Sequence, residues 1–162
     1  MLLKWVICEV GDATRFTAGQ SGWGSLRRWP GFLGQAGGWS TRVPGRAHIL
    51  GCWRDRADYG AFMAAGHDRI AAGQAGSYHG IEVRLCDDAR SVGRSIPEAF
   101  AAAEVVRLAH GPAHEHTAYF VRNEQSTPDD RLVWRSADPD PSGPGDDMFA
   151  LVPEWTVVPR TD

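Results

Sequence analysis

RAHILGCW (46–53), RDRADYGAFMAAGHDRIAAGQ (54–74) and GIEVRLCD (80–87) together decide the fold, because they read as a strand, a helix and a strand. In the first, His48, Leu50 and Cys52 fall on one face and Ala47, Ile49 and Trp53 on the other. In the third, Ile81, Val83 and Leu85 alternate with Glu82, Arg84 and Cys86. Between them, a helix over 56–74 gathers Tyr59, Phe62, Met63, Gly66, His67 and Ile70 on one side. A histidine on such a face is either a hydrogen-bonded core residue or the polar group of a pocket.

Working outward, Leu2 to Val10 is a strand that is apolar on both faces, as a covered strand should be. Asp12 or Thr14 can cap a helix that carries Phe16, Gln20, Trp23 and Arg27 on one face and ends near Leu26. Phe32 to Ser40 is the next strand, with glycine-rich backbone at Gly37-Gly38. The order is then β-α-β-β-α-β, the ferredoxin-like α+β unit, occupying residues 1–90.

Residues 91–103 read as a connection with a short helix from Pro97 to Ala102. Residues 104–162 echo the first half in reduced form, packing on it as a second, pared-down repeat. Val105 to Ala109 stands for the first strand, 110–125 for the first helix, and Leu132 to Asp138 for the strand after it. Phe149 to Val158 would be the last strand. Trp5 and Trp53 are 48 residues apart whereas Arg107 and Trp134 are 27 apart, so the echo lacks about a strand and part of a helix.

Composition narrows the function classes. The chain has 162 residues, 43% of them hydrophobic and 23% charged, enough for a proper core. A net charge of −3 without a basic stripe argues against a nucleic-acid surface. The apolar start is too short for a membrane span and carries Lys4 and Glu9, which points to a cytoplasmic protein without membrane contact. Cys8, Cys52 and Cys86 are widely spaced in apolar runs and read as buried thiols.

Several of these residues also resemble a family. GGWS (37–40), Ala47-His48, Trp53, Phe62 and HDR (67–69) are similar to the YdbC-type antibiotic biosynthesis monooxygenases of the dimeric α+β barrel superfamily. LLKWVICEV (2–10), VVRLAH (105–110) and EWTVV (154–158) follow the same pattern. The resemblance covers the first 90 residues well and the rest in patches. It implies a barrel built from ferredoxin-like repeats, a homodimer, and chemistry on a hydrophobic aromatic small molecule of secondary metabolism. Oxygenation without a bound cofactor leads. A cyclase, isomerase or decarboxylase in the same pocket, or a haem-carrying or other ligand-binding module, are the alternatives.

The candidate site follows from both readings. His67 and His48, with His110 third, are the acid/base candidates, since deprotonating a phenol gives the anion that reacts with dioxygen. Trp39, Trp53 and Trp155, with Phe62, Met63 and Tyr59, are the expected walls. The run His110-Gly-Pro-Ala-His114-Glu115-His116 has metal-binding donor types but lacks helical HExxH spacing, so His114 and His116 read as a solvated helix start and no metal is assigned. Asp138, Asp140, Asp146 and Asp147 read as a solvated linker, because prolines break the spacing that calcium loops need.

Overall fold

The computed structural model describes residues 1–123, 130–135 and 146–160. Nine strands form one sheet: β1 (Leu2–Val10), β2 (Phe32–Ser40), β3 (Arg46–Trp53), β4 (Tyr78–Cys86), β5 (Arg90–Val92), β6 (Val105–His110), β7 (Glu115–Val121), β8 (Asp130–Arg135) and β9 (Met148–Leu151). Their spatial order is β4-β1-β3-β2-β9-β6-β7-β8-β5, with antiparallel pairing throughout. The first four strands, in the order 4-1-3-2, are the ferredoxin-like unit expected from the sequence.

The helices are α1 (Ala13–Gln20), α2 (Arg56–Ala65), α3 (His67–Ala71) and α4 (Ile96–Ala102). Asp12 caps α1 by accepting the Arg15 backbone N–H at 2.9 Å, and Asp55 caps α2 in the same way through Asp58. A 3₁₀ segment, Ser21–Arg28, continues α1 and delivers Trp23 and Leu26 to the core. The expected helix over 56–74 is broken at Gly66. The Trp29 indole lies so close there that a Cβ would sit 2.4 Å from its ring, and His67 starts a new helix.

The second half departs from the expectation. The helix expected over 110–125 does not form in its described part, 110–123: β6 and β7 form a hairpin, closed by the Gly111 N–H donating to the Glu115 carbonyl at 2.7 Å. Its turn uses left-handed backbone at Ala113 and His114, with φ of 56° and 59°. Period two in HEHTAYFV was the signal, and the alternating burial of β7 follows it. The last strand ends at Leu151; Pro153 starts a 3₁₀ turn, and only Val157 rejoins the sheet as an isolated bridge to Gln35. The strand expected at Leu132 to Asp138 is Asp130–Arg135 within the described residues, and Asp138 and Asp140 lie outside them.

Two cores result. On one face of β1 and β3, Leu3, Trp5, Leu50 and Cys52 meet Val106, Phe120 and Phe149 from the second half and Phe100 from α4. On the other face, Leu2 and Trp53 meet Trp23, Tyr59 and Phe62 from the helices. The halves join where β9 pairs with both β2 and β6. Gly38 permits that seam, since a Cβ there would lie 1.8 Å from the Ala150 carbonyl oxygen. Cys8, Cys52 and Cys86 are buried free thiols, as read.

Candidate functional site

Between the helices and the ferredoxin-like part of the sheet lies a cavity of about 250 Å³. Sheet residues supply its floor: Lys4, Val6 and Cys8 from β1, Ile49, Gly51 and Trp53 from β3. Their odd-even spacing is what places them on one face, because Lys4 pairs with Gly51 and Val6 with Ile49 across the strands. Helices supply the roof, chiefly Phe16, Gln20, Trp23, Tyr59, Phe62 and His67. Ile81 and Val83, 53% and 47% exposed on the edge strand β4, also border the cavity and mark its mouth.

The aromatic packing is mutual. Phe62 stacks on Trp53 with ring centres 5.1 Å apart, and Trp23 lies 6.3 Å from Phe62. Trp23 is oriented by its N–H, which donates to Oε1 of Gln74, another residue of the cavity wall, at 2.8 Å. Such walls present flat apolar faces with little rotamer freedom, which suits a planar ligand.

The expected site residues separate into three places. His67, Trp53, Phe62, Met63 and Tyr59 all line this cavity. His67 sits 5.8 Å from Trp23 and 6.0 Å from Phe62, with its Nδ1 2.9 Å from the exposed Asp68 carboxylate. Trp39 and Trp155 do not border the cavity; they pack edge-on or tilted against Phe16 and each other in a neighbouring cluster.

His48 lies on the opposite face of β3, fully buried against Phe149. The Trp5 indole N–H donates to its Nδ1 at 3.2 Å, so the ring proton is on Nε2 and is given to Asp147 Oδ2 at 2.9 Å. Burial lowers the His48 pKa against the pull of Asp147, keeping the ring neutral. Burial alone would raise the Asp147 pKa, but hydrogen bonds from His48, the Met148 N–H and Ser40 outweigh it and hold the carboxylate below 3.8. Asp147, read as solvated linker, is thus a buried partner that ties β9 to β3. The serine-histidine-aspartate trio is no nucleophile device, since Ser40 donates to the aspartate and not to the histidine.

His110 is at the far end of β6, its ring against His116 at 4.5 Å and its Nδ1 3.6 Å from Asp146. The solvated helix start expected for His114 and His116 is corrected: His116 is buried in β7, stacked on Trp134. Among the described residues, no three histidine, cysteine or carboxylate side chains converge as metal ligands. The sheet therefore keeps His48, His67 and His110 apart.

Lys4 and Gln20 are the residues that pattern reading passed over. Lys4 Nζ stands 5.6 Å from the Trp23 ring centre and 5.7 Å from that of Tyr59. Desolvation pulls its ammonium down from 10.5 to about 8, partly offset by the Cys8 thiol. That thiol, buried in the same wall, is pushed up to about 12 and stays protonated. Gln20 is 1% exposed, and neither its Oε1 nor its Nε2 has a hydrogen-bond partner. A lysine inside a strand that is otherwise apolar on both faces was the available signal.

The element order and the helix-roofed sheet define a ferredoxin-like α+β protein. A crystal structure from Lactobacillus acidophilus NCFM superposes with a TM-score of 0.58 at 10% identity, covering 97% of this chain and 95% of that one. Another, from Fusobacterium nucleatum, gives 0.55 at 9% identity over 95% of this chain and 77% of that one; both carry the name "putative monooxygenase". Residues 2–86 match the family described as "Domain of unknown function (DUF4937)", and the chain belongs to that family. Over 74 residues it is 42% identical to the "Uncharacterized protein YdbC" of Bacillus subtilis (strain 168). That stretch spans 43% of this chain and 62% of YdbC, less than two thirds of the relative's length. No helix among the described residues is long and apolar enough to cross a membrane.

Proposed function

We propose that the protein is an enzyme that oxygenates a small planar aromatic metabolite in this cavity without a bound cofactor. The observation that carries the reading is the pocket of about 250 Å³ walled by Trp53, Phe62 and Trp23, with the imidazole of His67 on its lining. His67 takes the proton from a phenol or from a CH₂ flanked by aromatic rings, and the resulting anion reduces dioxygen. Overall the CH₂ and O₂ become C=O and water, so one oxygen atom enters the product and the other leaves with both hydrogens. Apolar walls keep bulk water from the anion.

The pocket does not suit haem. Its volume of about 250 Å³ falls below the roughly 300–1,000 Å³ of drug-sized sites, and a porphyrin is larger than the planar aromatic proposed here. A second copy pairing along the exposed edge strand β4, where Ile81 and Val83 border the mouth, would close the cavity and make the enzyme a homodimer.

Anthrone and 1-naphthol with purified protein supply the test, followed by oxygen uptake and product mass. Substrate-dependent oxygen uptake supports the reading; conversion that continues without oxygen would turn it into a cyclase or isomerase. Gly51→Ala places a methyl group on the floor, where a Cβ meets no atom closer than 3.9 Å. It should therefore fold normally and lower turnover. Full activity in His67→Ala would remove that residue from the chemistry.

A further inference from the structure

Resting on that reading of the cavity, we infer that Lys4 and Gln20 form a recognition pair for an acidic oxygen on the aromatic ligand, a phenolate or a carboxylate. Four observations converge on it. The Lys4 ammonium reaches the cavity floor between two aromatic rings, and among the described residues no carboxylate lines the cavity to neutralise it. Gln20 borders the same space with its amide buried and without a protein partner, so its bonding is left for a group inside the cavity to complete. The neighbouring polar side chain, Gln74, is by contrast engaged with Trp23 and the Phe16 carbonyl. Gly51 lies across the ladder from Lys4 and leaves room above it.

The chemistry then divides between the two ends of the ligand. Trp53, Phe62 and Trp23 hold its flat apolar body, which any aromatic would satisfy. The ammonium supplies the charge, in a surrounding of low dielectric where one ion pair discriminates strongly against a neutral analogue. The Gln20 N–H₂ can donate to the same oxygen, and its Oε1 can accept from a neighbouring hydroxyl. The other titratable groups on the cavity wall are Cys8, Tyr59, His67 and Tyr78, and none is an acid that would bind Lys4 in place of the ligand near neutral pH. With its ammonium lowered to about 8, Lys4 is charged below that pH and loses its charge above it.

The test uses 2-naphthoate, 2-naphthol and naphthalene as probes, each titrated against the full chain by intrinsic tryptophan quenching. Naphthoate at pH 7 should bind at least tenfold more tightly than naphthalene, and that advantage should fade as pH rises through about 8. Lys4→Met and Gln20→Met should each erase most of the advantage of naphthoate over naphthalene measured on the same variant, and a circular-dichroism spectrum and melting transition like those of the wild type show that the variants fold. 2-Naphthol is a neutral phenol at pH 7, so naphthol gaining as much as naphthoate points to a phenol oxygen as the group held, and naphthol gaining less points to a carboxylate. Equal affinity of all three probes would overturn the pair while the aromatic cavity stood. Binding of none of them would overturn the cavity reading and the pair with it.

Discussion

Gln20 offers a quantitative test of the cavity, because its two amide atoms are buried without partners in the free protein. A buried polar group left unsatisfied costs about 1–3 kcal/mol. Taking one such penalty and not two, since a group that borders a cavity can share hydration, Gln20→Met should stabilise the free protein by about 2 kcal/mol. Methionine has nearly the length of glutamine and a similar helix propensity, so α1, which ends at this residue, should be undisturbed. For a chain of this size 2 kcal/mol raises the melting temperature by roughly 4–8 °C. Calorimetry and urea titration of the two proteins measure it, with an unchanged urea slope as the check that both unfold from the same compact state. A variant that melts at or below the wild-type temperature would show that the Gln20 amide is already satisfied, and the argument for an unfilled ligand contact would fail. A more stable protein that binds 2-naphthoate less well is the outcome expected of a residue kept for function at the expense of the fold.

Lys4 makes a separate prediction about alkaline pH. Between about 8 and 10.5 the unfolded chain holds a proton at Lys4 that the folded chain has released, so this residue's contribution to stability rises with pH by about 3 kcal/mol. The buried thiols Cys8 and Cys52, raised to about 12, work in the opposite direction above pH 9. Urea titrations of wild type and Lys4→Met at pH 7.5 and 10 should isolate the lysine: the variant is more stable at the lower pH, and its advantage shrinks at the higher. An advantage that does not change with pH would count against a desolvated ammonium. On the other face, Asp147→Ala leaves the His48 Nε2–H, the Ser40 hydroxyl and the Met148 N–H without their acceptor. It should cost about 3 kcal/mol or more by urea denaturation. The wild type should also lose stability as pH falls below 6.5, where the unfolded chain takes up a proton that buried His48 resists. A variant as stable as wild type would mean that the His48–Asp147 contact contributes nothing to joining the halves.

The first half was legible because each of its elements has one strong period and a visible boundary. β1 and β3 alternate, Asp12 and Asp55 cap, and Tyr59, Phe62 and Met63 recur at helical spacing. The second half was misread where a repeat was expected to impose a helix on HEHTAYFV, although its own period was two. Of the site, the aromatic wall carried by α2 could be read, since a helix face is fixed by spacing alone. The placing of His48 could not. The parity of β3 puts Ile49, Gly51 and Trp53 toward the cavity and His48 away from it, but nothing local says which face is which. Gln20 appeared on a face with Phe16 and Trp23, yet its lack of a partner is a property of the packed molecule.

The seam at Gly38 decides how a ligand can enter. Backbone hydrogen bonds run without interruption from β4 through β2 and β9 to β5, so the two halves share one ladder and cannot hinge apart without breaking it. Entry must instead come from the side where the covering layer is interrupted. There α2 stops at Gly66, α3 begins at His67, and β4 has a neighbour on one side only. The imidazole of His67, the first residue of α3, therefore stands at the break in the covering layer, beside the edge strand.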